Sequence, residues 1–97
     1  MKFMGTYVMH PEKRHELYKV FAQMTEADDA ADRGGAVKQI GRWHDLAAGK
    51  GVVICESDDA AAVQSWAFNW NTGLDVELTP CLDDGEARAA LKKKFDL

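Results

Sequence analysis

The sequence predicts a small α+β domain built on a four-stranded antiparallel sheet. Two apolar segments and the pattern between them carry this reading. Val52-Val53-Ile54-Cys55 is apolar at four consecutive positions. Neighbouring strand residues point to opposite faces, so such a run needs cover on both sides of its sheet. Lys2 to Met9 spreads Phe3, Met4, Tyr7 and Val8 over both parities and reads as another strand buried on two faces. Between and after these strands, apolar residues recur at helical spacing, so strands and helices interleave along the chain.

The elements follow in order. Lys2 to Met9 is the first strand. His10-Pro11-Glu12 opens a helix, with Pro in its preferred first-turn position and Glu beside the positive dipole end. Leu17, Val20, Phe21 and Met24 form that helix's apolar stripe. Thr25 to Gly35 is acidic, small and glycine-ended, and reads as fraying helix followed by a loop. Its carboxylates Asp28, Asp29 and Asp32 lack the calcium-loop spacing and its distal Glu, which makes them solvated loop residues. Ala36 to His44 is the second strand, Asp45 to Lys50 its turn, and Gly51 to Glu56 the third strand.

Ser57-Asp58-Asp59 then sets a hydroxyl and two carboxylates at a helix start, where orphan N–H groups need acceptors. Val63, Trp66, Ala67 and Trp70 are its apolar stripe. For the two tryptophans, core packing is the plainer reading and stacking on a planar ligand the sharper one. Leu74 to Leu82 is a fourth strand, with Val76, Leu78, Pro80 and Leu82 opposite Asp75, Glu77, Thr79 and Cys81. Asp83 to Glu86 resembles a capping box and opens a short last helix through Ala87, Ala90 and Leu91.

This β-α-β-β-α-β order has a ferredoxin-like, split β-α-β solution. Right-handed crossovers put the third strand between the first and second, in sheet order 4-1-3-2. Both helices then cover one face. In a single domain of residues 1–97, the natural cover for the other face is a second copy of the chain, which predicts a homodimer. The same order separates Cys55 from Cys81 by two strand spacings, about 9–10 Å. A disulfide tolerates no more than ~7 Å, so both should be free thiols.

Net charge is -4 and the isoelectric point near 5.2, which argues against a nucleic-acid partner. Lys92-Lys93-Lys94 falls in a last helical turn, where cations offset the dipole. No apolar run approaches the ~18 residues of a membrane span. The N-terminal residues lack a signal-peptide pattern, so a cytoplasmic protein is expected. No C-x-x-C pair, nucleophile elbow, P-loop or dinucleotide fingerprint occurs, and no cofactor or metal is expected.

Gly41-Arg42-Trp43-His44-Asp45, the Gly51 strand, Glu56-Ser57-Asp58-Asp59, Trp66 with Trp70, and Val76-Glu77-Leu78-Thr79-Pro80 followed by Asp83-Asp84 are also familiar as a set. From Met1 to about Leu91 the chain resembles a small bacterial family known as domain of unknown function 3303. The resemblance implies a dimeric α/β barrel, in which two ferredoxin-like units pair face to face. It implies no catalytic residue.

Five side chains are candidates for a ligand site. Arg42 and His44 are two apart and share a strand face, Arg42 suited to a carboxylate and His44 to proton transfer. The plainer alternative is that they are charges protecting an edge strand. Tyr7 and Glu56 lie on inner strands, where a buried Glu needs a partner such as Arg42 or His44. An even-length hairpin loop puts Arg42 and Glu56 on opposite faces and groups Arg42 and His44 with Val53 and Cys55; an odd loop or a bulge would unite them. His10 ends the first strand as a possible second acid or base, with capping or exposure the plainer role.

These groups are expected to converge in a pocket near the helix-free face. The function expected is a dimer binding a small acidic or aromatic compound in the barrel cavity. The alternatives are a cofactor-free monooxygenase- or isomerase-type enzyme, by fold analogy alone, and a structural module with a filled core.

Overall fold

A computed structural model describes every residue from Met1 to Leu97. Strand β1 (Lys2–Met9) passes through a single 3₁₀ turn at Pro11–Lys13 into helix α1 (Arg14–Gln23). Helix α2 (Glu26–Arg33), strands β2 (Lys38–Asp45) and β3 (Lys50–Glu56), helix α3 (Ala60–Phe68), strand β4 (Leu74–Cys81) and helix α4 (Asp84–Lys94) follow. All strand pairs are antiparallel, in the order β2-β3-β1-β4. This is the predicted 4-1-3-2 order read from the other edge. Within one chain the sheet is open, with β2 and β4 as its edges. No helix is long and apolar enough to cross a membrane.

The chief departure is α2, where a frayed end and loop were expected. Thr25 Oγ1 accepts from the Asp28 amide at 3.1 Å, and the Asp28 carboxylate accepts from the Thr25 amide at 2.9 Å. This is a reciprocal capping box with Asp in the place usually held by Glu or Gln. Glu26, Asp28 and Asp29 stand at the positive end of the dipole and Arg33 at the negative end. The acidity that suggested a solvated loop therefore stabilises a helix start.

Strand β2 begins two residues later than predicted and carries a bulge at Ile40. Gln39 faces Cys55 and Gly41 faces Ile54, leaving Ile40 without a partner. The extra residue shifts the pairing only of Gln39 and Lys38, on the side away from the turn. From the turn to Gly41 the register is unbroken: Arg42 and His44 pair with Val53 and Gly51 on the same face as Cys55, and Trp43 turns to the other.

That first face carries the core. Phe3, Val53 and Cys55 from the sheet meet Val63 and Trp66 of α3, together with Val37. Burial pushes the Cys55 thiol pKa up, and Cys81, on the opposite face, is also a free thiol. Helix α1 directs Leu17, Tyr18 and Phe21 toward the sheet, while Val20, expected in the same stripe, is exposed. The helix-free face shows Met4, Val8 and Trp43 to solvent beside half-buried Val52 and Ile54.

Helix α4 has the predicted capping box between Asp83 and Glu86. Its first turn is held by Lys2, whose ammonium reaches Glu56, Asp83 and Glu86 at 3.2–3.3 Å. Those hydrogen bonds, Glu86's foremost, keep Lys2 protonated well above the ordinary lysine range. Beyond that anchor the helix is exposed, with only Ala87 partly covered.

Ser57 closes the β3–α3 connection from within. It is 5% exposed, donates to the Ala36 carbonyl at 2.6 Å and accepts from the Asp59 amide at 3.0 Å. Ser57→Ala removes both bonds from a buried position, a cost of about 1–3 kcal/mol. For a domain of this size, thermal melts of the variant should show a midpoint roughly 5–15 °C lower. An unchanged melt would mean that the hydroxyl is not structural.

Candidate functional site

The site begins with two glycines. In the sheet, Gly51 lies between Tyr7 of β1 and His44 of β2. With no side chain in between, the Tyr7 ring leans across the Gly51 backbone and its hydroxyl meets His44 Nδ1 at 2.6 Å. A methyl group at Gly51 would fall on the edge of that ring and on the Trp43 carbonyl. One row along, Gly5 sits between Leu78 and Val53, and a methyl there would press on Val53 at 2.8 Å. The glycines lower the middle of the sheet and leave space under the helices.

Leu17, Tyr18 and Phe21 of α1 roof that space from one side, and Trp66, Ala67 and Trp70 from the other. The result is a cleft of about 110 Å³, bounded mostly by apolar side chains and partly open to solvent. For comparison, an engineered apolar cavity of ~150 Å³ admits benzene. Leu46, on the β2–β3 turn, borders the mouth. The Tyr18 hydroxyl donates to the Leu46 carbonyl at 2.8 Å, and Arg14 donates to the carbonyls of Ala47 and Ala48 at 3.3 and 3.2 Å. The turn closes through Gly49, whose φ of 69° suits glycine.

Helix α2 ties the walls together. Asp32 Oδ2 accepts from both indoles, Trp66 Nε1 at 3.1 Å and Trp70 Nε1 at 2.7 Å, while Oδ1 accepts from Asn69 at 3.2 Å. One turn earlier, Asp29 binds the Arg42 guanidinium at 2.6 Å. Arg42 also lies 4.9 Å from the centre of the Phe21 ring, which in turn packs 5.0 Å from the His44 ring. Phe21 is thus held between a cation and an imidazole.

The electrostatics keep the Tyr7–His44 pair neutral. Burial lowers the His44 pKa first, and Arg42 adds to the effect, partly offset by Asp29. Burial likewise raises the Tyr7 pKa, aided by Tyr18. Near pH 7 the pair is an uncharged imidazole bonded to a protonated phenol.

Of the five candidates from the sequence, Tyr7, Arg42 and His44 are brought together. Their cleft lies under the helices, not near the helix-free face as expected, because the hairpin register puts Arg42 and His44 on the side of β3 that carries Val53 and Cys55, and that side is the one α3 covers. Glu56 is on the opposite face, occupied by Lys2. His10 sits beyond the end of β1, bonded to Asp75 at 3.1 Å. Neither reaches the cleft. The simple hairpin register, which separated Arg42 from Glu56, is the one observed. Missed were Gly51, Asp29 and Asp32. The signal for the two carboxylates was their i, i+3 spacing, which puts them on one side of a helix once that helix is recognised. No three His, Cys, Asp or Glu side chains gather in a way that could hold a metal ion.

Fold and cleft together define an α+β protein with a four-stranded antiparallel sheet and an aromatic-walled recess between sheet and helices. The chain belongs to the family described as Domain of unknown function (DUF3303), whose pattern it matches over residues 1–95. No curated protein and no solved structure matches it.

Two outcomes follow from this geometry. Asp32→Ala strips both indole N–H groups of their acceptor and should cost about 1–3 kcal/mol in denaturant unfolding, with red-shifted tryptophan emission. Unaltered stability and emission would show that the bonds carry little. For His44 the folded pKa is depressed below the ordinary 6.5. Between the two values the unfolded chain binds the extra proton, so this contribution is complete above about pH 6.5 and is lost as pH falls through the folded pKa. Stability measured across that window should decline toward acid, and less so in His44→Asn.

Proposed function

We propose that this protein is a homodimeric binding protein for a small, neutral aromatic molecule carried in the recess between helices and sheet. The observation that carries the reading is a cleft walled by Phe21, Trp66 and Trp70 whose polar groups, Tyr7, His44 and Arg42, gather at one side. Pockets with apolar walls and a few convergent polar groups are the usual form of small-molecule sites. Between the acidic and aromatic ligands suggested by the sequence, the aromatic one is favoured. Arg42 already holds a carboxylate, that of Asp29, and a ligand acid would have to displace it. A purely structural module is less well supported, because the space beneath the helices is not filled by side chains.

The dimer is proposed from the other face. Met4, Val8 and Trp43 are exposed on the helix-free side of the sheet, and Val8 and Trp43 border an open hollow that Thr6 and Val52 also line. Helix α4 adds exposed Leu91, with Phe95 just beyond its end. Nothing within the chain covers these groups, and a second sheet packed face to face would complete the dimeric α/β barrel. Two free thiols accord with a cytoplasmic setting.

Light scattering at micromolar concentration should give twice the 10.8 kDa chain mass. Trp43→Asp should shift the population to monomer, and a wild-type monomer at high concentration would defeat the dimer. For the ligand, indole N–H signals in a nitrogen–proton correlation spectrum serve as reporters. Titration with phenol should move the Trp66 and Trp70 signals and leave Trp43 in place, whereas benzoate should act more weakly. If neither compound moves the two cleft signals, the binding reading fails.

A further inference from the structure

A hydrogen-bonded phenol and imidazole at the edge of an apolar cleft can do more than orient a ligand. The Tyr7 hydroxyl bonds only His44 Nδ1, and His44 Nε2 has no partner within the chain. The short bond between them has two neutral arrangements. In one, Tyr7 donates to Nδ1 and the imidazole proton is on Nε2. In the other, Nδ1–H donates to the tyrosine oxygen, Nε2 has a free lone pair, and the phenol proton is free to be donated elsewhere. The two differ only in where protons sit. In each, the pair offers one donor and one acceptor at its two ends, and exchanging the arrangements exchanges the ends.

The geometry points to a bifunctional proton relay: Tyr7 and His44 interconvert the keto and enol forms of a small aromatic carbonyl compound bound in the cleft. This rests on the cleft being a ligand site, as proposed above. The step balances within the pair. His44 Nε2 takes a proton from the carbon next to the substrate carbonyl. The C–H electron pair becomes the new C=C bond, and the carbonyl π pair moves to oxygen. That oxygen takes the Tyr7 phenol proton, and Tyr7 recovers one from His44 Nδ1. Substrate leaves as the enol, and the dyad is left in its other neutral arrangement. The same steps in reverse convert enol to keto. Because His44 is exposed at the mouth, water can also reset the tautomer.

The surroundings suit this role. Both groups must begin neutral, as the burial that lowers the His44 pKa and raises that of Tyr7 ensures near pH 7. The charged and titratable groups facing the pair are Arg42 and Asp45 on β2, Asp29 on α2 and Tyr18 on α1. Arg42 and Asp29 neutralise each other. Gly51 gives the relay its geometry, since any larger side chain would separate phenol from imidazole. His44 lines the cleft and its Nε2 has no partner in the chain, so that nitrogen is free to meet a ligand there.

The test uses the full chain and 1-phenylbutane-1,3-dione, a neutral aromatic diketone whose keto and enol forms differ in ultraviolet absorbance. In imidazole-free buffer, the protein should accelerate approach to keto–enol equilibrium and deuterium uptake at the carbon between the carbonyls. Tyr7→Phe and His44→Gln should each reduce that acceleration by roughly 10²-fold or more, the scale of positioned acid–base catalysis. The double variant should be little worse than either single one, because the two act as a unit. Tyr7→Phe should still show the diketone shifting the Trp66 and Trp70 indole signals. The wild-type rate should fall as His44 protonates in acid and as Tyr7 ionises in alkali. Diketone that shifts the indoles without any acceleration over buffer overturns the relay and leaves the binding proposal standing. Neither shift nor acceleration overturns both. Rates in Tyr7→Phe and His44→Gln within a factor of three of wild type assign the chemistry elsewhere and also overturn the relay. Should Tyr7→Phe not fold, the wild-type rate and His44→Gln decide the matter.

Discussion

The cleft depends on two carboxylates one helical turn apart. Asp32 fixes both indoles of the α3 end, and Asp29 fixes the Arg42 guanidinium on the sheet. Helix α2 thereby ties the helical roof to the sheet floor with polar bonds, beside the places where Trp66 and Phe21 pack on the sheet directly. A roof held by packing alone would tend to collapse into the space, since interiors favour native-like density. Hydrogen bonds to ionised carboxylates are stronger than neutral ones and more directional. They hold Trp66 and Trp70 by their polar edges and leave the rings to line the recess. The acidic balance of the chain thus has a structural use in this region, separate from any partner.

The floor rests on a different constraint. Sheets normally fill each position with a side chain, and cross-strand neighbours support one another. Here Gly5 and Gly51 occupy the central strands β1 and β3, in adjacent rows of the same face. Glycine in a strand interior weakens it and marks a place where something approaches the backbone closely. At Gly51 that something is the Tyr7 ring, and the bond it makes to His44 repays part of the loss. At Gly5 the vacant position contributes depth to the cleft. The sheet gives up local stability in the two places where the recess needs room.

The fold was largely legible because it rests on features with a period. Two-faced apolar strands, Pro11 at a helix start and the Asp83–Glu86 cap all act within a few residues, and the strand order followed from handedness. The second helix was missed because its cap uses Asp28, an unusual choice, and its composition imitates a loop. The site was legible in part. Arg42 and His44 stood out as polar residues on one strand face, and Tyr7 as a polar aromatic on an inner strand. Which face they occupied was hidden, because β1 and β3 are apolar on both sides and their pattern does not say which side the helices cover. Glu56 and His10 drew attention for the same reason as the others, being polar at strand ends, but an ion pair with Lys2 and a hydrogen bond with Asp75 account for them. Gly51 carried no signal of its own: only the register shows that it separates Tyr7 from His44.

That register also separates the two proposed activities of the sheet. Residues of β1 and β3 alternate between cleft and helix-free face, so Tyr7 lies between Thr6 and Val8, and Val53 between Val52 and Ile54. A partner docked on Met4, Val52 and Ile54 would therefore pack on the face opposite the cleft. The two share backbone, however. Trp43 and His44 are adjacent on the edge strand β2, one facing each way. An edge strand free in solution can shift or twist, and covering Trp43 would hold the strand that presents His44. Assembly would then influence the site by fixing the placement of the imidazole opposite Tyr7, with no residue crossing from one protomer to the other.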